Sequence, residues 1–221
     1  MKKSPIPTLS DEAYTEALTV IEIQDCLFNL TRDNYITSLD DILKSIYLTT
    51  DERVKELSHH ILSAVIYRVK NVATYADLLF LLQSKSDELP SLKNISKYAI
   101  DEIYKEISSE RVERSSMQLI QFLSKCFIRQ VYTNAEIMDF IYRYLRSKDA
   151  RQISVLHIFS HFCYFIFDYD EKFYEQYLNL IQKISPKDES SPVRLFLNEL
   201  DGWKENNWFA LKTFLSHDYS F

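Results

Sequence analysis

Gly202 is the only glycine among the 221 residues of this chain, and that scarcity limits what the chain can fold into. Phosphate-binding loops, nucleophile elbows and dinucleotide fingerprints all need glycine, either for a positive φ angle or for close backbone approach. Tight β-hairpins need Asn-Gly or Asp-Gly turns for a related reason. The sequence therefore predicts an all-helical protein and argues against most nucleotide-binding and hydrolytic enzymes.

The cysteines and the apolar segments indicate a reduced compartment and no membrane span. Cys26, Cys126 and Cys163 are odd in number and far apart, which is typical of free thiols in an intracellular protein. The N-terminus carries prolines and acids where a signal peptide would be apolar. The longest apolar run, residues 153–167, contains two serines and two histidines and is too short to span a bilayer. We therefore predict a cytoplasmic protein.

Residues 56–83 contain the clearest pair of helices in the sequence. Their apolar residues recur at helical spacing on either side of a short break near Lys70 and Asn71. Two helices joined by so short a connection are expected to pack antiparallel. We predict a helical hairpin, with buried stripes formed by Leu57, Ile61, Leu62, Val65, Ile66 and Val69 before the break and by Val72, Tyr75, Leu78, Leu79 and Leu82 after it.

Short polar sequences mark the starts of other helices. Residues 49–52 (Thr-Thr-Asp-Glu) and 133–136 (Thr-Asn-Ala-Glu) have the spacing of a capping box, in which Thr and Glu satisfy each other's backbone N–H groups. Ser191 before Pro192 fits an N-cap followed by proline in the first turn. Ser38 is predicted to cap a shorter helix.

The whole pattern predicts about ten or eleven helices with short connections and no strand. Successive antiparallel helix pairs of this kind are typical of an irregular α-solenoid or HEAT-like stack. We predict one all-helical domain over residues 10–216, with a soft boundary at 84–91, a leader at 1–9 and a tail at 217–221. The apolar run 153–167 is predicted to be the most enclosed helix.

His157 and His161 are candidate metal ligands that the sequence leads us to reject. They stand four residues apart on one predicted helix, which is the spacing that two zinc ligands would use. A zinc site needs at least a third ligand, and the neighbouring phenylalanines indicate core packing instead. His59 and His60 are adjacent and therefore point to different faces of their helix.

No pattern of catalytic residues rises above the background of the sequence. Serines occur without the companions of a nucleophile motif, and paired carboxylates lie at predicted helix starts, where first-turn acids are common. We therefore predict a protein that is not an enzyme and that has no catalytic residues, no cofactor, no metal and no small-molecule substrate.

The middle of the chain is basic although the chain is acidic. Residues 111–151 carry eight Lys and Arg against four Asp and Glu, a charge of +4, while the whole chain carries −6. Aromatic residues make up 14% of the chain, and tyrosine and arginine are favoured at protein interfaces. A solvated helix face and tyrosines at the rim of the core are the alternative interpretation. The predicted partner-binding residues are Tyr132, Tyr142, Arg143, Arg146 and Arg151.

The hairpin resembles the helical N-terminal region of protozoan, trichomonad-type ankyrin-repeat proteins. The resemblance lies in a helix, a short break and a Tyr-x-x-Leu helix, which here carries Tyr75, Leu78, Leu79 and Leu82. Residues 197–221 are similar to the segment that leads into the repeats of that family. The Thr-Pro-Leu-His motif of the repeats themselves does not occur in the sequence. This resemblance implies a protein-interaction role and no catalytic residues.

The chain also resembles the middle domain of translation initiation scaffolds of the eIF4G type. This second resemblance lies in the break followed by Tyr75, Ala76, Leu78 and Leu79, and in a two-helix unit over residues 117–145. It implies an RNA-helicase or RNA partner, which the acidic balance of the chain disfavours.

Three hypotheses about function remain. The leading one is a non-enzymatic helical module or scaffold that holds another protein. The second is an RNA-associated, translation-type scaffold that uses the basic centre at residues 111–151. The third is a structural component of a larger assembly such as a cytoskeletal lattice.

Overall fold

The computed structural model describes residues 11–44, 50–68, 71–109, 113–146, 152–184 and 191–209. These residues form ten α-helices and one 3₁₀ helix, and no strand occurs among them, which confirms the all-α prediction. The helices are α1 (Asp11–Phe28), α2 (Tyr35–Lys44), α3 (Asp51–Tyr67), α4 (Val72–Ser84), the 3₁₀ helix (Pro90–Asn94), α5 (Ile95–Ser108), α6 (Glu113–Ile128), α7 (Asn134–Arg146), α8 (Gln152–Tyr169), α9 (Glu171–Ile184) and α10 (Pro192–Glu205).

The chain divides into two compact units, one ending at Ala99 and the other beginning at Ile100, within α5. The predicted boundary at 84–91 lies inside the first unit, and the single domain over 10–216 stays a prediction. The predicted leader at 1–9 and tail at 217–221 lie outside the described residues. No helix in the described part of the chain has both the length and the apolar character needed to cross a bilayer.

In the first unit, each helix packs mainly on the helix two positions along the chain. α1 packs on α3 and α2 packs on α4, while α3 and α4 also meet each other. The predicted hairpin is therefore present, with α3 ending at Tyr67 and α4 beginning at Val72. Val69 of the predicted stripe lies outside the described residues, and Ile66 is half-buried. Tyr75 and the leucines after it in its stripe are fully buried, which confirms that they are packing residues.

The hairpin also satisfies the end of α1. The last carbonyl groups of a helix lack partners within that helix, so a buried helix end needs donors from elsewhere. The Tyr75 hydroxyl donates to the Leu27 carbonyl at 2.7 Å, and the Asn71 side-chain amide donates to the Leu30 carbonyl at 2.6 Å. Burial raises the pKa of Tyr75 to about 12, so the hydroxyl stays protonated as a donor.

Two of the predicted helix starts are confirmed. At α7, the Thr133 backbone N–H donates to the Glu136 carboxylate at 2.8 Å, and the Glu136 N–H donates to the Thr133 hydroxyl at 3.3 Å. At α10, Ser191 is the N-cap and accepts a hydrogen bond from the Arg194 N–H, with Pro192 in the first turn. Both are local patterns that a few neighbouring residues determine.

Two other predicted starts need correction. The N-cap of α3 is Thr50, whose hydroxyl accepts from the Arg53 N–H. The capping box predicted at residues 49–52 is therefore out of register by one residue. α2 begins at Tyr35, so Ser38 lies inside this helix and is buried rather than capping its end.

The second unit repeats the same packing rule. α6 packs on α8, α8 packs on α10 and α7 packs on α9, while α9 also meets α8 and α10. Much of the aromatic content lies in this core. Phe167 of α8 meets Phe173 and Tyr177 of α9 with ring centroids 5.9 and 5.0 Å apart. The aromatic load of the sequence is thus largely interior in this unit.

A left-handed turn closes α10. Asn207 and Trp208 have φ angles of 50° and 59°. Residues other than glycine adopt this left-handed backbone conformation at a cost of about 1–3 kcal/mol each. The Trp208 N–H donates to the Trp203 carbonyl at 2.7 Å, and the Asn207 N–H donates to the Lys204 carbonyl, as in a Schellman motif. The turn places the Trp208 side chain, fully buried, against Phe167 and Tyr174.

Candidate functional site

Tyr132, one of the predicted partner-binding residues, is a core residue. Only 2% of its surface is exposed, and burial raises the pKa of its hydroxyl well above its ordinary value. Its side chain offers no exposed area to a partner, so we leave it out of the candidate surface. Arg151, another predicted residue, lies outside the described residues.

The remaining three predicted residues lie together on α7. Tyr142, Arg143 and Arg146 occupy one side of the helix at its C-terminal end, because residues three and four apart are neighbours on a helix surface. The structure adds two residues of α5 to this group, Asp101 and Tyr104. We call these five residues the α5–α7 patch.

Arg143 is held at the centre of this patch by three partners. Its guanidinium carbon lies 4.3 Å from the centre of the Tyr104 ring, within the range of a cation–π contact. The guanidinium also lies 3.3 Å from the Asp101 carboxylate and 3.8 Å from that of Asp139. The planar group is therefore fixed in one orientation before any partner arrives.

Arg146 is held by an aromatic ring. Its guanidinium donates a hydrogen bond to the Tyr142 hydroxyl at 3.0 Å and lies 5.6 Å from the centre of the Tyr142 ring. In the described part of the chain, Arg146 forms no ion pair with a carboxylate.

Sequence reasoning missed Tyr104 and Asp101 because they are about forty residues from Arg143 along the chain. A signal did exist in α5, where Ile95, Ala99, Ile103 and Ile107 are fully buried along one side of the helix. Tyr104 falls beside that stripe, at its border with solvent. Nothing in the sequence indicates that α7 would approach that border.

The basic residues of 111–151 that the structure describes do not collect on one surface. On α6, the Lys125 ammonium lies 5.3 Å from the centre of the Phe162 ring of α8. Arg129, directly after α6, donates to the Lys125 carbonyl. On α7, Arg143 is largely neutralised by Asp101 and Asp139. Of the four basic side chains in this segment that the structure describes, Lys125 and Arg129 lie on and directly after α6, whereas Arg143 and Arg146 lie on α7.

The two histidines of α8 have different surroundings. The His157 ring lies 4.7 Å from the ring of Phe196 and 5.6 Å from that of Trp203, and its Nε2 is 3.4 Å from the Glu199 carboxylate. His161 contacts the ring of Phe162. Within the described ranges, no group of three His, Cys, Asp or Glu residues is placed to hold a metal ion.

Because of His60, we expect the free energy of unfolding of the first unit to depend on pH. Burial and the nearby His59 lower its pKa below 6.5, and Glu56 opposes this only in part. As the pH falls, His60 therefore takes up a proton in the unfolded chain before it does so in the folded protein, and this favours unfolding. The contribution of His60 to the free energy of unfolding is thus complete above about pH 6.5 and declines below it. In His60→Gln, the free energy of unfolding should fall less between about pH 6.5 and 5 than in the wild type. Urea denaturation at several pH values measures this, and identical slopes for both proteins would refute it.

No protein-family profile and no curated protein sequence matches the chain. The fold is similar to the crystal structure of the MIF4G domain of the Trypanosoma cruzi translation initiation factor EIF4G5, with a TM-score of 0.57 and 11% sequence identity. The alignment covers 88% of this chain and 98% of that chain. At this identity the likeness shows the fold alone, and it confirms the HEAT-like helical class. It agrees with the resemblance to the eIF4G-type middle domain, whereas nothing supports the resemblance to ankyrin-repeat proteins.

Proposed function

We propose that this chain is a non-enzymatic helical scaffold that holds another protein through the α5–α7 patch. The observation that carries this proposal is a pair of arginines on α7, each beside a tyrosine ring: half-buried Arg143 beside Tyr104 of α5, and exposed Arg146 beside Tyr142 of α7. Arginine and tyrosine are among the residues that contribute most to binding at protein interfaces. The proposal includes the predicted cytoplasmic location and the predicted lack of a cofactor.

The stacked arrangement suits binding because it lowers the entropic cost of association. A free arginine loses several rotatable bonds when it binds, which costs about 0.5–1.5 kcal/mol for each immobilised side chain. Arg143 is already fixed by Tyr104 and Asp101 at 4.3 and 3.3 Å. The exposed ion pair with Asp101 contributes little to stability, so a partner carboxylate can replace it at small cost.

An RNA-associated scaffold is the second candidate. It is favoured by the fold, which this chain shares with a domain of a translation initiation factor, and by the aromatic rings beside the arginines, which suit base stacking. It is disfavoured by the net charge of −6 that the whole chain carries. Binding to RNA would be recognised by a strong dependence on salt, because phosphate contacts release counterions.

The test reverses the charge of the patch. The double variant Arg143→Glu/Arg146→Glu should weaken binding to the captured partner by at least about tenfold, because each change removes a stacked cation and adds a repulsive charge. The matched control is Lys93→Glu/Lys172→Glu, which makes the same change in net charge at two exposed residues outside the patch. The partner is captured from native lysate with the full chain as bait, and its affinity for the three proteins is then measured by calorimetry.

The outcomes separate the two candidates. Loss of binding in the patch variant, with the control unchanged, supports the protein scaffold. Salt-dependent binding to single-stranded RNA that is lost in the same variant supports the second candidate instead. If the patch variant and the control bind equally well, the α5–α7 patch is not the binding surface in either candidate function.

A further inference from the structure

The α5–α7 patch carries negative as well as positive charge. Asp101 belongs to the patch, and Asp139 lies one helical turn before Arg143 on α7. The side chains of Asp101 and Asp139 are 49% and 64% exposed. A partner that contacts this surface therefore meets two carboxylates together with the guanidinium groups of Arg143 and Arg146.

The charges follow a fixed order along α7. Asp139, Tyr142 and Arg146 are exposed and lie on one side of the helix, because they are spaced by three and four residues. Each residue adds about 1.5 Å along the axis, so the first and last of the three are about 10 Å apart. The negative charge thus lies at one end of this row, the positive charge at the other and a tyrosine ring between them.

The second carboxylate strengthens the negative end. Asp101 and Asp139 both lie against the same nitrogen of Arg143, Nη1, at 3.3 and 3.8 Å, so the two carboxylates are close to each other. A partner carboxylate that approached this end would meet two like charges, whereas a partner cation would be attracted by both.

The positive end of the row suits a carboxylate. The Arg146 guanidinium is held by the Tyr142 hydroxyl at 3.0 Å, and its planar fork matches the two oxygens of a carboxylate. Asp139 is about 10 Å away along the helix, which is close to one Debye length at physiological salt. Repulsion between Asp139 and a carboxylate bound at Arg146 is therefore largely screened.

We propose that the partner is a protein segment that carries one acidic and one basic side chain about 10 Å apart. The acidic side chain binds Arg146, and the basic one binds Asp101 and Asp139. Two side chains have this separation when they are seven residues apart on a helix or three apart on a strand. This inference rests on the proposed function and names the chemistry of the partner.

The order of the charges also fixes the orientation of the partner. A segment laid along α7 in the opposite direction would place its acidic group beside Asp139 and its basic group beside Arg146. Like charges brought together in this way disfavour the wrong orientation and the wrong partner. A partner that carries only negative groups, such as RNA, matches the positive end of the row alone.

Exchanging the two end charges tests the order without changing the net charge. In Asp139→Arg/Arg146→Asp, like charges meet at both ends of the row, and we expect binding at least about tenfold weaker. The probe is the protein that the full chain captures from native lysate, purified and titrated by calorimetry. Lys85→Glu/Glu88→Lys is the matched control, because it exchanges an exposed ion pair of 2.6 Å outside the patch and should bind like the wild type. Circular dichroism shows whether each variant keeps its helices.

Asp139→Asn tests the basic group of the partner by the sign of its effect. The side chain is 64% exposed, so the substitution should leave the fold intact. Loss of an ion pair with a partner cation should weaken binding by about threefold. A partner that brings only negative groups would instead bind more tightly, because a repelling carboxylate is removed. Unchanged or tighter binding overturns the proposal.

Failure of this inference can be told apart from failure of the proposed function. If Arg143→Glu/Arg146→Glu loses binding while Asp139→Arg/Arg146→Asp binds like the wild type, the patch is the binding surface but the order of its charges is not recognised. The inference is then overturned alone. If both variants bind like the wild type, or if the full chain captures no protein, the proposed function and the inference fail together.

Discussion

Trp208→Ala is expected to lower the free energy of unfolding of the second unit by about 3–5 kcal/mol. Trp208 is fully buried, and its ring centre lies 6.0 Å from that of Phe167 and 5.8 Å from that of Tyr174. Removing it leaves a cavity between α8 and α9 that these rings can fill only in part. Guanidinium denaturation, followed by circular dichroism and by the fluorescence of the remaining Trp203, measures the change.

The backbone at Trp208 makes a second comparison possible. Because the φ angle there is 59°, alanine keeps the cost of the left-handed conformation, whereas glycine has none. Trp208→Gly should therefore be more stable than Trp208→Ala by about 1 kcal/mol, the reverse of the order expected inside a helix. A glycine variant less stable than the alanine variant would show that this turn does not hold in solution.

Phe209→Ala provides the control for the tryptophan. Phe209 follows directly in the chain and is 71% exposed, so its removal should change the stability by no more than about 0.5 kcal/mol. If Trp208→Ala and Phe209→Ala lowered the free energy of unfolding by similar amounts, the end of α10 would be sensitive to any truncation. The specific role of Trp208 would then be rejected.

Tyr75→Ala is expected to have an effect of similar size in the first unit. Tyr75 is fully buried on α4, and truncation removes both its ring and its hydrogen bond to the Leu27 carbonyl of α1. We expect a loss of about 3–5 kcal/mol. Tyr75→Phe keeps the ring and removes only the hydroxyl, and the Leu27 carbonyl still accepts from the Leu30 N–H at 3.1 Å. It should therefore cost about 0.5–1.5 kcal/mol, the net contribution of one hydrogen bond.

Tyr67→Phe is the control for the hydroxyl group. Tyr67 lies at the end of the preceding helix and its side chain is largely exposed, so loss of its hydroxyl should be nearly neutral. Thermal and urea denaturation of the three variants measure these differences. A Tyr75→Phe variant as stable as the wild type would show that the hydrogen bond from the Tyr75 hydroxyl contributes nothing to the stability.

Features that depend on neighbouring residues could be predicted from the sequence. The capping box at Thr133 and Glu136 and the proline after Ser191 are both predictable, because each involves side chains and N–H groups within one helical turn. The one-residue error at Thr50 arose because the adjacent Thr49 carries an equivalent hydroxyl group, and the sequence does not show which of the two caps the helix.

The candidate site could be predicted only in part. Tyr142, Arg143 and Arg146 could be grouped because helical spacing alone places them together. Whether they are exposed, and what they contact, depends on which helix packs beside them. Tyr132, from the same stretch of sequence, is buried instead, because it lies in the turn between α6 and α7 with its side chain in the interior.

The sequence by itself determined that the chain is helical, where α7 and α10 begin and which face of α4 is buried, since periodicity and capping act within a few residues. Only the tertiary structure decided that Tyr104 and Asp101 meet Arg143 and that Phe165 and Tyr169 of α8, the helix predicted to be the most enclosed, are exposed. The physical reason is that these contacts depend on the packing of helices far apart in the chain, and many packings satisfy the same apolar pattern.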